Sequence, residues 1–330
     1  MPMSHPRLLL GGIVLLVLPS ISLAWGRGGH ETVGYLAATL IAGSNAEKKV
    51  NEILKPGETM ATAAEWPDCA KGFLYCHKQP TAEMKDFAQR NPNHHAYHYT
   101  DVPFELDQYA DDAPGANADD VVHILGDAIL VLRGQPPANP KHDITRREAL
   151  FIVAHMVGDI HQPLHVGAAY VDEAGEFVVP EDHQEEAEEF TQGGNLLCHG
   201  SKGVHSYWDD NLVTMAMRQA KVTTSKAFAG KLAASAKKVK IDGGSPESWP
   251  RLWATETLNL SKTELSVLTV TDKRIGGAKS VCQKTGDKGT SSVWDVDFPD
   301  DYAAEGATTA AEQLTLAGAR LARLLKAIWP

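Results

Sequence analysis

Residues 152–165 read Ile-Val-Ala-His-Met-Val-Gly-Asp-Ile-His-Gln-Pro-Leu-His. His155 and Asp159 are four apart, which on a helix sets an imidazole and a carboxylate on one face, one turn apart. Ile152, Val153, Met156, Val157 and Ile160 surround them, so this helix is buried on most sides and its two polar groups need a partner that offsets their desolvation. A metal ion meets that need. One such pair alone is better explained by a buried His–Asp hydrogen bond with no metal, so the remainder of the chain has to decide. Pro163 lacks a backbone donor and is expected to end or kink the helix, letting His165 project in another direction and feed a second metal site.

The chain has 330 residues, 43% of them hydrophobic, enough for a full core as one large domain or two small ones. Residues 1–24 combine His5 and Arg7, an apolar run from Leu8 to Leu18, and Pro19 followed by Ser22-Leu23-Ala24. That is the pattern of a cleaved secretory signal, giving a mature chain that starts at Trp25. No later stretch approaches the ~20 apolar residues of a membrane span. Export to a secreted or periplasmic location suits the four cysteines, Cys69, Cys76, Cys198 and Cys282, which allow three disulfide pairings. The local pair Cys69–Cys76 is favoured, leaving Cys198 with Cys282. The net charge of −11 repels polyanions at long range, so a phosphate ligand has to be captured by local positive charge such as bound divalent cations. It also argues against a non-specific nucleic-acid coating protein.

Along the mature chain, Gly26, Gly28 and Gly29 make a pliant start before His30, and a free α-amino group at Trp25 would be available as a ligand. The Val33–Ile41 and 47–54 segments read as helical. Asp68 and Lys71 follow Trp66-Pro67; alone they read as surface residues of a loop, though Lys71 is placed to reach a phosphate near Asp68. Residues 91–104 read as extended, with His98 facing away from Tyr99, and with an aromatic ring and the Asp101 carboxylate suited to a nucleotide base. His94 and His95 are assigned to core packing. A helix over 118–132 holds Asp119 and His123, set aside because no further ligand types flank them. Residues 172–189 contain nine acidic side chains and read as a solvated insertion loop near the site mouth, with His183 a solvated bystander. After the Gly193-Gly194-Asn195 turn, His205 and Asp209 repeat the His-x-x-x-Asp spacing. Helices are expected over 223–240, 249–268, with Trp249 and Trp253 in the core, and 303–328; residues 276–293 read as a loop. With no repeat and no strong strand alternation, the class is mainly α.

With Trp25, His30, Asp68, His98, His155, Asp159, His165, His205 and Asp209 in this order, the mature chain resembles the zinc-dependent single-strand-specific nucleases of the S-one/P-one type. Trp66-Pro67-Asp68, His98-Tyr99-Thr100-Asp101, Pro163-Leu164-His165, Gly193-Gly194-Asn195, Trp208-Asp209 and Ala317-Gly318-Ala319-Arg320-Leu321 carry the likeness. It implies an all-α, single-domain fold of the phospholipase C/P-one nuclease type over 25–330, with three zinc ions in one cleft. By the same resemblance, Asp68, His98, His155 and Asp159 hold the first zinc, and His165, His205 and Asp209 the second. Trp25, His30 and the bridging Asp159 hold the third.

The implied reaction is hydrolysis of single-stranded DNA and RNA to 5′-phosphates, with 3′-nucleotidase activity. Water is activated by the zinc site with Asp68, Lys71 stabilises phosphoryl charge, and Tyr99, Asp101 and Asn195 hold the substrate. A monomer without stable membrane association is expected. His161 is read as structural. The competing readings are a zinc phospholipase C, which would present an apolar mouth in place of Tyr99 and Asp101, and an exported zinc-storage protein without turnover.

Overall fold

A computed structural model describes residues 25–76, 78–180, 190–240, 243–278, 280–284 and 288–330. The leader, His183 and most of the acidic insertion therefore lie outside the described residues. In order, the helices are α1 (Arg27–Ile41), α2 (Asn45–Ile53), α3 (Met60–Lys71), α4 (Phe73–Cys76), α5 (Ala82–Arg90), α6 (Val121–Leu132), α7 (Arg146–Asp159), α8 (Val204–Ser206), α9 (Val213–Gln219), α10 (Ser225–Ala236), α11 (Trp249–Leu265) and α12 (Tyr302–Ile328).

The helix α7 is the axis of this assembly. Thr145 and Glu148 form a capping box that starts it, and every residue from Glu148 to Asp159 is buried. A helix apolar on nearly all sides has to be enclosed by others. Accordingly α7 packs against α1, α2, α3, α6 and α12, while α1 also contacts α3, α10 and α12. The main apolar core joins Trp25, Trp66, Phe151, Trp208, Trp253 and Trp294.

The fold is mostly helical but not all-α. The short strands β1 (Val102–Pro103) and β2 (Gly167–Ala168) pair in parallel. A four-stranded sheet has the order β4-β3-β6-β5, from β3 (Leu197–His199), β4 (Lys202–Gly203), β5 (Thr269–Gly277) and β6 (Lys288–Asp297). Part of the 276–293 stretch expected to be loop is thus a long antiparallel hairpin. Its Gly- and Lys-rich composition hid it, whereas Val293, Trp294, Asp295 and Val296 are all buried against the core. The disulfides are Cys69–Cys76 and Cys198–Cys282, the second tying β3 to the segment between β5 and β6.

Four local readings change with tertiary packing. Residues 96–98 form a 3-10 turn, and only the chain after Tyr99 is extended. Its His98 is nevertheless buried and Tyr99 exposed, as the alternation required. The helix α1 starts at Arg27, so Gly28 and Gly29 are helical; at Gly29 a Cβ would lie 2.8 Å from the Trp25 Cβ, so the residue serves close packing rather than pliancy. The helix α7 ends at Asp159, before Pro163, which instead opens a 3-10 turn over Pro163–His165. Asp68 and Lys71 belong to α3, which continues through Pro67, and Asp68 is buried.

At Gly34, one turn after His30, a Cβ would lie 2.6 Å from the Met60 carbonyl oxygen and 2.7 Å from the Ala61 Cα. Here α1 and α3 touch backbone to backbone, which brings His30 and Asp68 to one site. Gly34→Ala is expected to cost about 1–3 kcal/mol by overpacking. Gly126→Ala in α6, where a Cβ meets open space, should be neutral or stabilising. Denaturant midpoints of the two variants check the pair.

Candidate metal centre

Backbone pairing assembles the site. The Thr100 N–H donates to the His165 carbonyl at 2.8 Å and Val102 N–H to Val166 at 3.2 Å, so the chain after His98 is zipped onto the chain around His165. The α3 and α1 helices bring Asp68 and His30 to the C-terminal end of α7. Among the described residues, three groups of possible ligand atoms result: Asp68, His98 and His155; His30, His155 and Asp159; and His165, His205 and Asp209.

Asp159 joins the first two groups. Its Oδ2 is 3.1 Å from both His98 Nδ1 and His155 Nε2, and its Oδ1 is 3.2 Å from His30 Nε2. Asp68 Oδ1 lies 3.8 Å from both His98 and His155 and 2.7 Å from the Lys71 ammonium. Burial would raise the Asp68 pKa, but Lys71, His155, His98 and His30 outweigh it and bring it down to about 2. His30 and His155 stack with ring centroids 3.7 Å apart, so His155 is shared more widely than its place beside Asp159 suggested.

The chemistry of the donor set tests whether cations fit. A carbonyl can only accept, so His165 Nδ1 donates to His98 O at 2.7 Å and His205 Nδ1 donates to Gly193 O at 2.7 Å. Each neutral ring therefore presents an unprotonated Nε2, and these two lone pairs face each other at 3.1 Å. Burial lowers the His165 pKa, and burial with His165 nearby brings that of His205 down to about 3, so both rings are neutral. Asp209 Oδ2, 3.5 Å from His205 Nε2, is buried without a hydrogen bond. Three acceptors around a point with no donor call for a cation, because buried polar groups are otherwise satisfied. His30, one of whose ring nitrogens is a donor, and Asp159 Oδ1 are likewise buried without a hydrogen bond. Imidazole nitrogen tied to a carbonyl on its far side is also how metal-bound histidines are oriented.

Around these groups, Trp25 is buried and its indole N–H donates to the Gly158 carbonyl at 2.9 Å, next to Asp159. The Gly26 N–H donates to Asp209 O at 3.0 Å, which sets the segment after Trp25 beside the His165 group. Tyr99 is exposed and Asp101 is buried. Asp101 N–H reaches Gly115 O and its carbonyl accepts from the Tyr170 hydroxyl at 2.9 Å. A Cβ at Gly193 would lie 3.3 Å from both Asp101 Oδ1 and His205 Nδ1, so the Gly193-Gly194-Asn195 turn separates the two. The Asn195 amide donates to Gln192 O within that turn.

Of the two histidines expected in core packing, His94 is buried, whereas His95 is exposed at the start of the 3-10 turn. His161 donates from Nδ1 to Val157 O and accepts from Arg320. Asp119 and His123 do not pair: Asp119 meets His142, while His123 meets Asp120 and Asp111. Residues with no ligand-type spacing escaped the sequence reading. Gln162 donates to Asp209 Oδ1 at 2.8 Å, which leaves Oδ2 for a cation. At Gly158 a Cβ would crowd His30 Nδ1 at 3.0 Å, and at Gly115 it would meet Asp101 O. Only the position of Gln162, inside the run from His161 to His165, was a local clue.

The S1/P1 Nuclease family model matches residues 25–330. Nuclease S1 of Aspergillus oryzae is 24% identical over 326 residues, spanning 98% of this chain and 98% of that protein. Endonuclease 2 of Arabidopsis thaliana is 27% identical over 206 residues, 62% of this chain and 60% of that protein.

Two outcomes are expected. His30, His98, His165 and His205 have folded pKa values below the ordinary value, chiefly through burial, so they add stability above about 6.5 that is lost as the pH falls towards the folded values, about 3 for His205. Within the centre Asp209, raised by burial, and His155, raised by Asp159 and Asp68 against burial, pull the other way but are fewer; outside it Glu65 and Glu105, raised by burial to about 7, do so too, set against His94, His95 and His161, all lowered by burial. Chelated protein should therefore melt at progressively lower temperature from pH 7 to pH 5, and added zinc should raise the melting temperature at pH 7. Gln162→Leu leaves Asp209 misoriented and should weaken one bound metal ion about 10- to 100-fold, read by competition with a chelator.

Proposed function

The chain belongs to the S1/P1 nuclease family, and from that membership we propose that it is an exported, zinc-dependent phosphodiesterase that cleaves single-stranded DNA and RNA to 5′-phosphates and acts as a 3′-nucleotidase. Three zinc ions are the proposed cofactors. Asp68, His98, His155 and Asp159 would hold one, His165, His205 and Asp209 a second, and Trp25 through its amine and carbonyl, with His30 and Asp159, a third. The single observation that carries this reading is the set of buried nitrogen and carboxylate acceptors that face one another without a donor. Imidazole and carboxylate ligands without cysteine are those of open catalytic zinc sites. Bound zinc supplies Lewis acidity and lowers the pKa of a water to about 7.

The chain's own groups then have distinct tasks. Asp68, ionised down to about 2, orients the attacking water by accepting its hydrogen bond and is too weak a base to store its proton. Lys71, 2.7 Å from Asp68, brings a positive charge to the phosphoryl oxygens. Tyr99 offers its ring to an unpaired base, Asp101 accepts from base N–H groups, and Asn195 holds the substrate from the opposite turn. A base inside a duplex presents no free face, which favours single strands.

Residues 25–330 are proposed as one nuclease domain preceded by a cleaved leader, in a secreted or periplasmic, monomeric protein. The two disulfides fit an oxidising compartment. No helix among the described residues is long and apolar enough to cross a membrane.

The test compares hydrolysis of single-stranded DNA, RNA, a 3′-mononucleotide and phosphatidylcholine by protein starting at Trp25, with zinc and after chelation. Zinc-dependent release of 5′-phosphates is expected. Cleavage of lipid alone would make the protein a phospholipase C, and zinc binding without turnover a storage protein. Asp68→Asn should lower kcat/KM at least about 10²-fold. Tyr99→Ala should raise KM about 5- to 100-fold through lost stacking.

A further inference from the structure

Charge is strongly segregated along this chain. Residues 211–241 contain seven cations, Arg218, Lys221, Lys226, Lys231, Lys237, Lys238 and Lys240, and every one of the chain's 42 acidic residues lies outside that stretch. All seven side chains are exposed, and among the described residues none has an ion-pair partner. They lie on α9, α10 and the turns after each.

Helix electrostatics do not account for this. Arg218, in the last turn of α9, and Lys237 and Lys238, just after α10, favourably face the negative ends of helix dipoles. Lys221 follows α9 as Lys238 follows α10, but Lys226 is in the first turn of α10, where the dipole disfavours a cation, and Lys231 and Lys240 lie outside the last turns. The twelve residues of α10 extend about 18 Å, so the cations are spread along the helix rather than gathered at one end. Glu31 and Glu312 come close to α10 from α1 and α12, while screening over about 8 Å weakens the influence of more distant acidic groups.

Two connections join this stretch to elements that carry the metal centre. The helix α9 continues directly from the π-helical segment Tyr207–Leu212, which carries Asp209. At the start of α10, the Ser225 hydroxyl donates to Glu31, the neighbour of His30, at 2.7 Å.

We propose that the exposed face of α9 and α10 binds the phosphate backbone of a single-stranded nucleic acid whose scissile nucleotide occupies the His–Asp centre. This rests on the nuclease reading, and it makes length of strand a determinant of affinity. A mononucleotide or dinucleotide engages the centre alone, while a longer strand adds phosphate contacts on the face. Each contact adds about 0.7 to the slope of log affinity against log salt.

The test uses zinc-loaded protein and a variant with Lys226→Glu, Lys231→Glu, Lys237→Glu and Lys238→Glu. Binding to a phosphorothioate thymidine 20-mer is followed by anisotropy at several salt concentrations, and hydrolysis of a thymidine dinucleotide is followed in parallel. The variant should bind the 20-mer at least tenfold more weakly, with a salt slope reduced by about 3, and should cleave the dinucleotide like the parent. A control reverses Lys48, Lys85, Lys141 and Lys288, which gives the same net charge, and should change 20-mer affinity less than twofold. Equal losses in both variants would show a long-range charge effect and overturn the proposal, as would unchanged 20-mer binding in the α10 variant. Loss of binding to phosphatidylglycerol vesicles with unchanged 20-mer binding would assign the face to a lipid surface and likewise overturn it. If the parent cleaves no dinucleotide, the nuclease reading fails, while the 20-mer binding still decides the face.

Discussion

Asp159 is the constraint around which the rest is arranged. It is the last residue of α7, fully buried, and sits where the helix dipole is negative, so its carboxylate is disfavoured both by burial and by the helix. What offsets this is a ring of imidazoles: His98 and His155 on one oxygen and His30 on the other. Those imidazoles are themselves buried. Neither set is comfortable without positive charge between them, and the stability of the core is therefore linked to what the centre binds.

The remaining ligand-type residues are positioned by backbone carbonyls far away in sequence. Ala64 holds His155, the carbonyl of His98 holds His165, and Gly193 holds His205. Each contact fixes a ring's orientation and leaves the opposite nitrogen as an acceptor. Gln162 does the equivalent for Asp209. The site is thus held by main chain from several elements, and glycines at 34, 158 and 193 permit the close approaches that this requires. Its precision depends on packing at a distance as much as on the ligand residues.

Electrostatics divide the molecule. An overall acidic chain carries no acidic residue within the stretch 211–241, although Glu31 of α1 and Glu312 of α12 reach α10 from other elements. A protein of net charge −11 can be matched to a polyanion only where attraction is local, because charges further apart than the screening length interact weakly.

Much of this was legible in the chain itself. The four-residue spacing of His155 with Asp159 and of His205 with Asp209, the apolar surroundings of α7, the amphipathic runs of α10, α11 and α12, and the four cysteines are short-range patterns, and short-range patterns are what helical periodicity encodes. Other features were decided only by tertiary structure. Asp68 looked like a loop residue because its own neighbours are ambiguous, and it becomes buried in α3 through contact with α1 and α7. The hairpin of β5 and β6 was hidden by Gly and Lys, since its order comes from pairing with β3 rather than from alternation. The sharing of Asp159 between His30 and the His98–His155 pair, and the roles of Gln162 and Gly158, have no local signature. They depend on distances between elements tens of residues apart, which packing sets and sequence spacing does not.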